Sequence, residues 1–347
     1  MKYTKVKKSD IHIPEIIFGT SALGNLYHVI PEEVKLNIVK ECITHLDGDV
    51  VFDSAGKYGA GLALEKLGEK LREINISPEK IIISNKLGWL RMELITDEPT
   101  FEKGVWMEID YDARQSISYE GIMECWEQGN RLLGESYTPK LVSVHDPDEY
   151  LASAINDNSE RKSLYRNILD AYKALHDLKR EGKVKAIGVG AKNWKVIQQI
   201  AQDIELDWVM LANSMTIYRH PKELLDFMNQ LYNDKITIIN SAVFNAGFLT
   251  GGDFFDYKLV NSNHPEKEKL ISWRNSFYEI CRNFEILPSN ACIHFGMSHP
   301  GVVSIALNTS KPEHVKRNID SVQSIVPVEF YDAMKKKRLI RSDYPYV

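Results

Sequence analysis

Eight short runs rich in Ile and Val, separated by stretches of helical periodicity, set the tightest limit on how this chain can fold. The runs are Ile16–Phe18, Val50–Phe52, Ile81–Ile83, Leu141–Val144, Ile187–Val189, Val209–Leu211, Ile236–Ile239 and Val302–Ile305. Apart from Ser143, Gly188, Thr237 and Ser304 the runs are apolar throughout, which suits strands buried on both faces of a parallel sheet with helices outside. Between them, apolar residues recur at steps of three and four. Leu164, Ile168, Ala171, Leu175 and Leu178 form one helix face, ended by Gly182 as a left-handed cap. Val34, Ile38 and Cys42 follow Pro31 in the same way, and Val315, Ile319 and Val322 follow Pro312. Further faces are Leu64, Leu67 and Leu71; Ile122, Trp126 and Leu133; and Leu224, Phe227, Met228 and Leu231. Strands and helices in strict alternation predict an α/β fold, a (β/α)8 barrel, with an open doubly wound sheet as the rival. Against the rival, no strand is followed by a full Gly-x-Gly-x-x-Gly turn. Gly188-Val-Gly190 has Asn193 in the third glycine position and reads as a tight strand-to-helix turn.

The chain has 347 residues, whereas a barrel of this kind uses about 250. Two long insertions and a tail absorb the difference within a single barrel domain over residues 1–347, whose core spans about 15–324. Leu87–Ser118 holds Trp89, Phe101 and Trp106. Phe244–Leu287 holds a Gly251-Gly252 turn and an extra helix around Lys267–Phe284, and Val326–Val347 is the tail. Both insertions follow strands and so lie on the face where barrels build their pockets. Apolar residues at 44% exclude global disorder, and a net charge of −5 argues against a dedicated nucleic-acid binder. No apolar run approaches the length of a membrane span, and the basic N-terminus has no apolar stretch behind it. The expectation is a cytoplasmic protein whose partner is a small molecule. Cys42, Cys125, Cys281 and Cys292 lack disulfide or zinc spacing and read as buried thiols, and His294 with His299 makes no metal motif. Lys335–Arg338 reads as a solvated helix face.

The reactive side chains sit at strand ends. The second strand ends on Asp53, the third on Lys86 and the fourth on His145; Tyr58 follows Asp53 in a glycine-flanked loop. Taken singly, each has a structural explanation: a turn aspartate, a satisfied histidine, a packed tyrosine. Together, on three successive strand ends, they converge on one barrel mouth. The chemistry they permit is proton transfer on an oxygen. A nearby ammonium lowers the pKa of a phenol, a carboxylate holds that ammonium in place, and an imidazole hydrogen-bonds the substrate oxygen. None of these groups accepts electrons, so redox chemistry requires a cofactor.

These residues, in the segments Phe18–Gly24, Phe52–Ala55 with Tyr58-Gly59, Ser84–Gly88, Val144–Asp148 and Gly182–Gly190, resemble the aldo-keto reductase superfamily. Leu23–Tyr27, His145–Asp148 and Ala242–Leu249 are similar to its sugar dehydrogenase branch, which includes L-fucose dehydrogenase and D-threo-aldose 1-dehydrogenase, with pyridoxal 4-dehydrogenase close by. The resemblance implies a catalytic tetrad of Asp53, Tyr58, Lys86 and His145, with Tyr58 as general acid/base, and no metal. It implies a nicotinamide cofactor held by Gly19, Thr20, Ser21, Asp53, Asn213, Ser241, Phe244, Asn308, His314 and Asn318. Trp89, Asp146, Asn193 and Trp194, with Trp106, are the substrate candidates. Relatives that prefer NADP place a Lys and an Arg where Asn308 and His314 stand here, so NAD is the expected cofactor and NADP the alternative. The implied reaction is oxidation of an aldose at C1. The other readings are an NADPH-dependent aldehyde or ketone reductase, a pyridoxal dehydrogenase, or a cofactor-sensing subunit.

Overall fold

All eight apolar runs form strands of one closed barrel in the computed structural model, which describes residues 1–155, 157–261 and 263–347. The strands are β1 (Ile16–Gly19), β2 (Val50–Ala55), β3 (Ile81–Leu87), β4 (Leu141–His145), β5 (Ala186–Ala191), β6 (Trp208–Ala212), β7 (Thr237–Ser241) and β8 (Val302–Asn308). They are parallel and pair in sequence order, and β8 closes on β1 with Leu307 opposite Phe18 and Asn308 opposite Gly19. Helices α1 (Glu32–Thr44), α2 (Leu62–Ile74), α3 (Tyr119–Leu133), α4 (Asn158–Arg180), α5 (Trp194–Asp203), α6 (Lys222–Asn233), α7 (Pro288–Met297) and α8 (Glu313–Val322) fill the outer layer. Several strands run past the apolar stretch into polar sequence. β2 continues through Asp53-Ser54-Ala55, and β3 through Ser84-Asn85-Lys86-Leu87.

The pleat explains this. Ile17, Val51, Ile82, Leu141, Ala186, Trp208, Met210 and Ile239 pack together inside the barrel, joined by Val6, Ile11 and Ile13 of an N-terminal hairpin that plugs its base. Their neighbours Ile16, Phe18, Val50, Phe52, Ile81 and Ile83 pack instead with Ile38 and Val39 of α1 and Leu64, Leu67 and Leu71 of α2. Side chains two residues apart share a face. Asp53 therefore stands above Val51, Lys86 above Ile82 and His145 above Leu141, on the inward side, where the filling layers give way to the mouth.

Gly188 and Gly190 do not form a turn; they lie within β5. A Cβ on Gly188 would come within 2.3 Å of the Trp208 ring, and one on Gly190 within 3.3 Å of Lys86 Cδ. These glycines clear space inside the barrel for the largest core side chain and for the lysine stem. Spacing alone could not separate this use from a phosphate-binding turn.

The first insertion is a hairpin, Trp89–Glu93 paired with Tyr111–Gln115, whose tip folds back over the mouth. Trp89, Phe101, Trp106, Ile109 and Ala113 give it a small core shared with Ala60. An antiparallel bridge between Leu26 and Trp106 fixes the tip, with hydrogen bonds from Tyr27 N–H to Val105 O (2.8 Å) and Met107 N–H to Asn25 O (3.0 Å). The second insertion carries a short hairpin, Phe254–Phe255 with Lys258–Leu259, and a helix at Lys267–Asn283. The tail is part of the packed body beyond the expected limit at 324. Its helix Val328–Lys336 buries Phe330, Tyr331 and Met334, and Tyr344 stacks on Phe295 at 4.6 Å. All four cysteines are buried free thiols. Among the described residues no helix is long and apolar enough to cross a membrane.

Candidate active site

Asp53, Tyr58, Lys86 and His145 meet at the C-terminal mouth. Lys86 Nζ pairs with Asp53 Oδ2 and donates to the Ser54 carbonyl at 3.2 Å. Ser84 Oγ donates to Asp53 Oδ1 at 3.1 Å, so both carboxylate oxygens are engaged. The Lys86–Asp53 pair is buried, which is tolerable because each charge has its partner and further hydrogen bonds. Lys86 Nζ lies 4.7 Å from the centre of the Tyr58 ring. The Tyr58 and His145 rings meet edge to face, 5.6 Å apart at 86°. Tyr58 reaches this place on a tight turn. Gly59 has a φ of +60°, and a Cβ there would fall 2.4 Å from the Gly24 carbonyl, so only glycine lets the loop pack this closely.

The ionisation of the site departs from the expectation. Burial pushes the Tyr58 phenol well above its usual range; Asp53 and Asp146 add to the rise, and Lys57 opposes it. The ammonium of Lys86 faces the ring and sits beside Asp53, so its charge is largely compensated. The phenol is thus held protonated at neutral pH. Burial, with Lys86 and Lys57 nearby, drives His145 well below its usual value. It stands as a neutral imidazole whose Nδ1 has no hydrogen-bond partner.

The expected cofactor residues occupy the adjoining arc of the mouth, on β6, β7, β8 and β1, neighbours in the barrel order. Asn213 follows β6 in a left-handed conformation (φ +55°), is 4% exposed and leaves its Oδ1 without a partner. A buried acceptor left open is costly unless a donor arrives, and a carboxamide N–H is such a donor. Ser241 Oγ donates to Leu211 O at 3.2 Å. Beyond it, Ala242, Asn245, Ala246 and Gly247 have positive φ, the backbone shape from which anion-binding concavities are built; Phe244 lies among them, half-buried. His314 and Asn318 are one turn apart on α8, both half-buried. Gly19 and Ser21 flank the Thr20 turn, and the Thr20 hydroxyl is committed to the Asp53 carbonyl at 3.1 Å. Asn308 Oδ1 accepts from Ala22 N–H at 3.3 Å and ties β8 to the loop after β1. The open Asn213 acceptor and the positive-φ loop fit a nicotinamide dinucleotide.

The substrate candidates divide. Trp106 lies beside Tyr58, ring centres 5.8 Å apart. Trp89 sits beneath the Lys57 ammonium at 4.8 Å and is nearly covered. Asp146 is paired with Lys57 at 2.8 Å. Asn193 is exposed and caps α5 by accepting from Lys195 N–H, and Trp194 stacks against Phe227 of α6 at 6.2 Å. The start of a helix therefore accounts for both of these residues.

Sequence reading missed the group that organises the mouth. The Lys57 ammonium lies 2.8 Å from each of Asp146 Oδ2, Glu149 Oε2 and Glu102 Oε1. Glu149 also holds Lys192 at 2.5 Å, and Lys192 lies over the Tyr257 ring at 5.3 Å. Glu102 accepts from Trp106 Nε1 at 2.8 Å. Tyr27, in the loop after β1, stacks on Phe254 at 5.3 Å, so the second insertion reaches the same loop to which Trp106 of the first is bridged. The available signal was position: Lys57 precedes Tyr58 in the same glycine-flanked loop.

Comparison with known proteins gives one family and one fold. The aldo/keto reductase family model matches residues 15–338. Pyridoxal 4-dehydrogenase of Microbacterium luteolum is 24% identical, covering 96% of each chain. D-threo-aldose 1-dehydrogenase of a Pseudomonas species is 23% identical, covering 94% of this chain and 95% of its own. Among solved structures, an aldo-keto reductase of Bacillus halodurans in its holo form superposes with a TM-score of 0.69 at 18% identity, covering 99% of this chain and 97% of that one.

Proposed function

The chain belongs to the aldo/keto reductase family, oxidoreductases that act on CH–OH or carbonyl groups with a nicotinamide cofactor, and from that membership we propose that it oxidises an aldose at C1 to the lactone with NAD. The substrate type is L-fucose or a D-threo-aldose. The observation that carries the reading is the convergence of Asp53, Lys86, Tyr58 and the neutral His145 on one mouth beside the open Asn213 amide.

A nicotinamide held by Asn213 and the loop after β7 would supply the two-electron chemistry as hydride acceptor. Tyr58, in its phenolate form, takes the proton of the C1 hydroxyl and becomes the neutral phenol, so oxidation speeds up as pH rises toward the ionisation of the phenol. The open nitrogen of His145 hydrogen-bonds the same oxygen and orients it, and a neutral imidazole does so without competing for the proton. Lys86, fixed by Asp53, supplies the positive charge that stabilises the phenolate before it takes the proton. Trp106 offers a flat apolar wall beside the reacting carbon.

For the cofactor, Asn308 and His314 stand where a 2′-phosphate would need cations. Charge-assisted contacts to phosphate contribute roughly 1.5–3 kcal/mol each, so their absence favours NAD by at least about tenfold in kcat/KM. Asn308→Lys combined with His314→Arg is expected to raise NADP use; a parent preference for NADP contradicts the assignment. A panel of aldoses, pyridoxal and simple aldehydes with both cofactors tests the reaction. Aldose oxidation with NAD supports it, and turnover of simple aldehydes with NADPH alone overturns it. Pyridoxal is the second reading, favoured by the name of the relative that is 24% identical over nearly the whole chain.

A further inference from the structure

Lys57 has no part in the reaction just described, yet its side chain is 3% exposed and lies 2.8 Å from three carboxylates. A buried lysine is costly unless it is paired. The positions of its partners are informative. Lys57 directly precedes Tyr58 in sequence, and Asp146 directly follows His145. Glu149 lies on the short helix Pro147–Ala152 beyond β4, and Glu102 comes from the first insertion. A single ammonium thus joins the loop after β2, the end of β4 and the cover over the mouth. Asp146 holds a left-handed backbone conformation (φ +49°) that a non-glycine residue keeps only when its surroundings impose it.

We propose that Lys57 is the positioning residue of this active site: its bridge to Asp146 sets the separation and angle of Tyr58 and His145, and its bridge to Glu102 closes the first insertion over them. The inference rests on the dehydrogenase reading. Tyr58 and His145 sit on separate elements, and neither hydrogen-bonds the other. The residues beside them in the chain do meet, and the edge-to-face contact of the two rings follows from that junction. The third arm brings in Glu102, whose other bond is to Trp106, the wall beside Tyr58. Breaking the node leaves three carboxylates facing one another, and their repulsion opens the same junction.

The charged and titratable groups that face Tyr58 are Asp53 and Lys86 from β2 and β3, His145 and Asp146 from β4, Lys57 from its own loop, Glu102 from the first insertion and Tyr257 from the second. Lys57 is the cation in this set that is not spent on Asp53. Its removal leaves the carboxylates to raise the phenol, so the pH profile of kcat for oxidation moves to higher pH.

The test compares the parent with Lys57→Met, Lys57→Arg, Asp146→Asn and Glu102→Gln. It measures kcat and KM against pH with the best substrate, NADH binding by tryptophan fluorescence, and amide hydrogen exchange of segments 56–60 and 95–110. Lys57→Met is expected to lose at least about tenfold in kcat, within the range of misplaced acid/base groups. Its profile moves up by about one pH unit, NADH binding stays within about twofold, and exchange speeds up in both segments at once. Lys57→Arg restores most of kcat. Glu102→Gln raises the substrate KM several-fold and frees only segment 95–110. A Lys57→Met protein with parent kcat, profile and exchange overturns the proposal. If that variant fails to bind NADH, Asp146→Asn decides the matter, and parent-like kinetics and exchange there overturn it. A parent that oxidises no aldose but turns over another carbonyl refutes the substrate reading alone, and the exchange measurement tests the clamp whatever the substrate.

Discussion

Tyr58 is half-buried, and its only role in the proposed reaction is to move one proton. Tyr58→Phe keeps the ring against Trp106 and His145 and deletes that proton. Turnover is expected to fall by about 10²- to 10⁴-fold, with NADH binding nearly unchanged; a variant keeping half the parent rate refutes the role. Gly188 presents the opposite case, a residue that matters for what it lacks. In Gly188→Ala the new methyl meets the Trp208 ring at 2.3 Å and the Trp208 carbonyl at 2.6 Å. Neither can retreat, since the indole is fully buried in the barrel interior and the carbonyl is backbone. The loss is expected to reach about 3 kcal/mol, read from the urea midpoint. The tetrad was legible in sequence because each member ends a strand or follows one at once. Lys57 was not, because its neighbour Glu102 is 45 positions away along the chain, and only folding brings the two together.

Among the elements, α1 and α2 show how a local charge pattern is recruited for packing. Glu32, at the start of α1, meets Lys35 at 3.2 Å on its own helix and Lys66 and Lys70 of α2 at 3.2 and 2.8 Å. Burial works against its ionisation, but Lys70, Lys35 and Lys66 overcome this and hold the carboxyl at about 2. A depressed carboxylate adds stability above its ordinary pKa and loses it as pH falls from about 4.5 toward 2. The side chain is half exposed, so solvent screening trims the contribution to about 1 kcal/mol. Glu32→Gln is expected to lower the urea midpoint at pH 7 by that amount and to be neutral near pH 2; an equal loss at both pH values excludes the ionic explanation. Helix faces and their caps were legible because they repeat within a few residues. Gly182, at φ +74° just past α4, is a case in point. The extension of β2 and β3 into polar sequence was not legible, because apolarity marks a strand only where its neighbours are oil.

For the whole molecule, the tail and the barrel meet over buried histidines. His220 accepts the Arg341 N–H of the tail at 3.2 Å, and His299 packs edge to face on Tyr346 at 4.7 Å while its Nδ1 accepts the Gly301 N–H. Burial lowers both from 6.5 to about 4. A group whose folded pKa is depressed in this way binds its proton in the unfolded chain first. Stability is therefore complete above about 6.5 and is lost as pH falls toward 4, by about 3 kcal/mol for each histidine. The urea midpoint is expected to drop across that window, and His299→Gln should drop less steeply. A flat response from pH 7 to 4 in the parent rules this out.

The sequence by itself determined the barrel. The runs that become strands, the helices between them and the order in which they close are properties of local apolarity and period, which each segment carries regardless of the rest. It also pointed to Asp53, Lys86 and His145, since a position near a strand end fixes both the face and the height of a side chain, and to Tyr58 in the glycine-flanked loop after β2. Tertiary structure alone decided what those residues are in chemical terms. The phenol is held protonated and the imidazole neutral because burial and distant charges act through space, on scales of a few ångströms that the chain order does not encode. It decided, too, that two glycines serve the core instead of a turn, and that the lysine beside Tyr58 gathers three remote carboxylates at the barrel mouth.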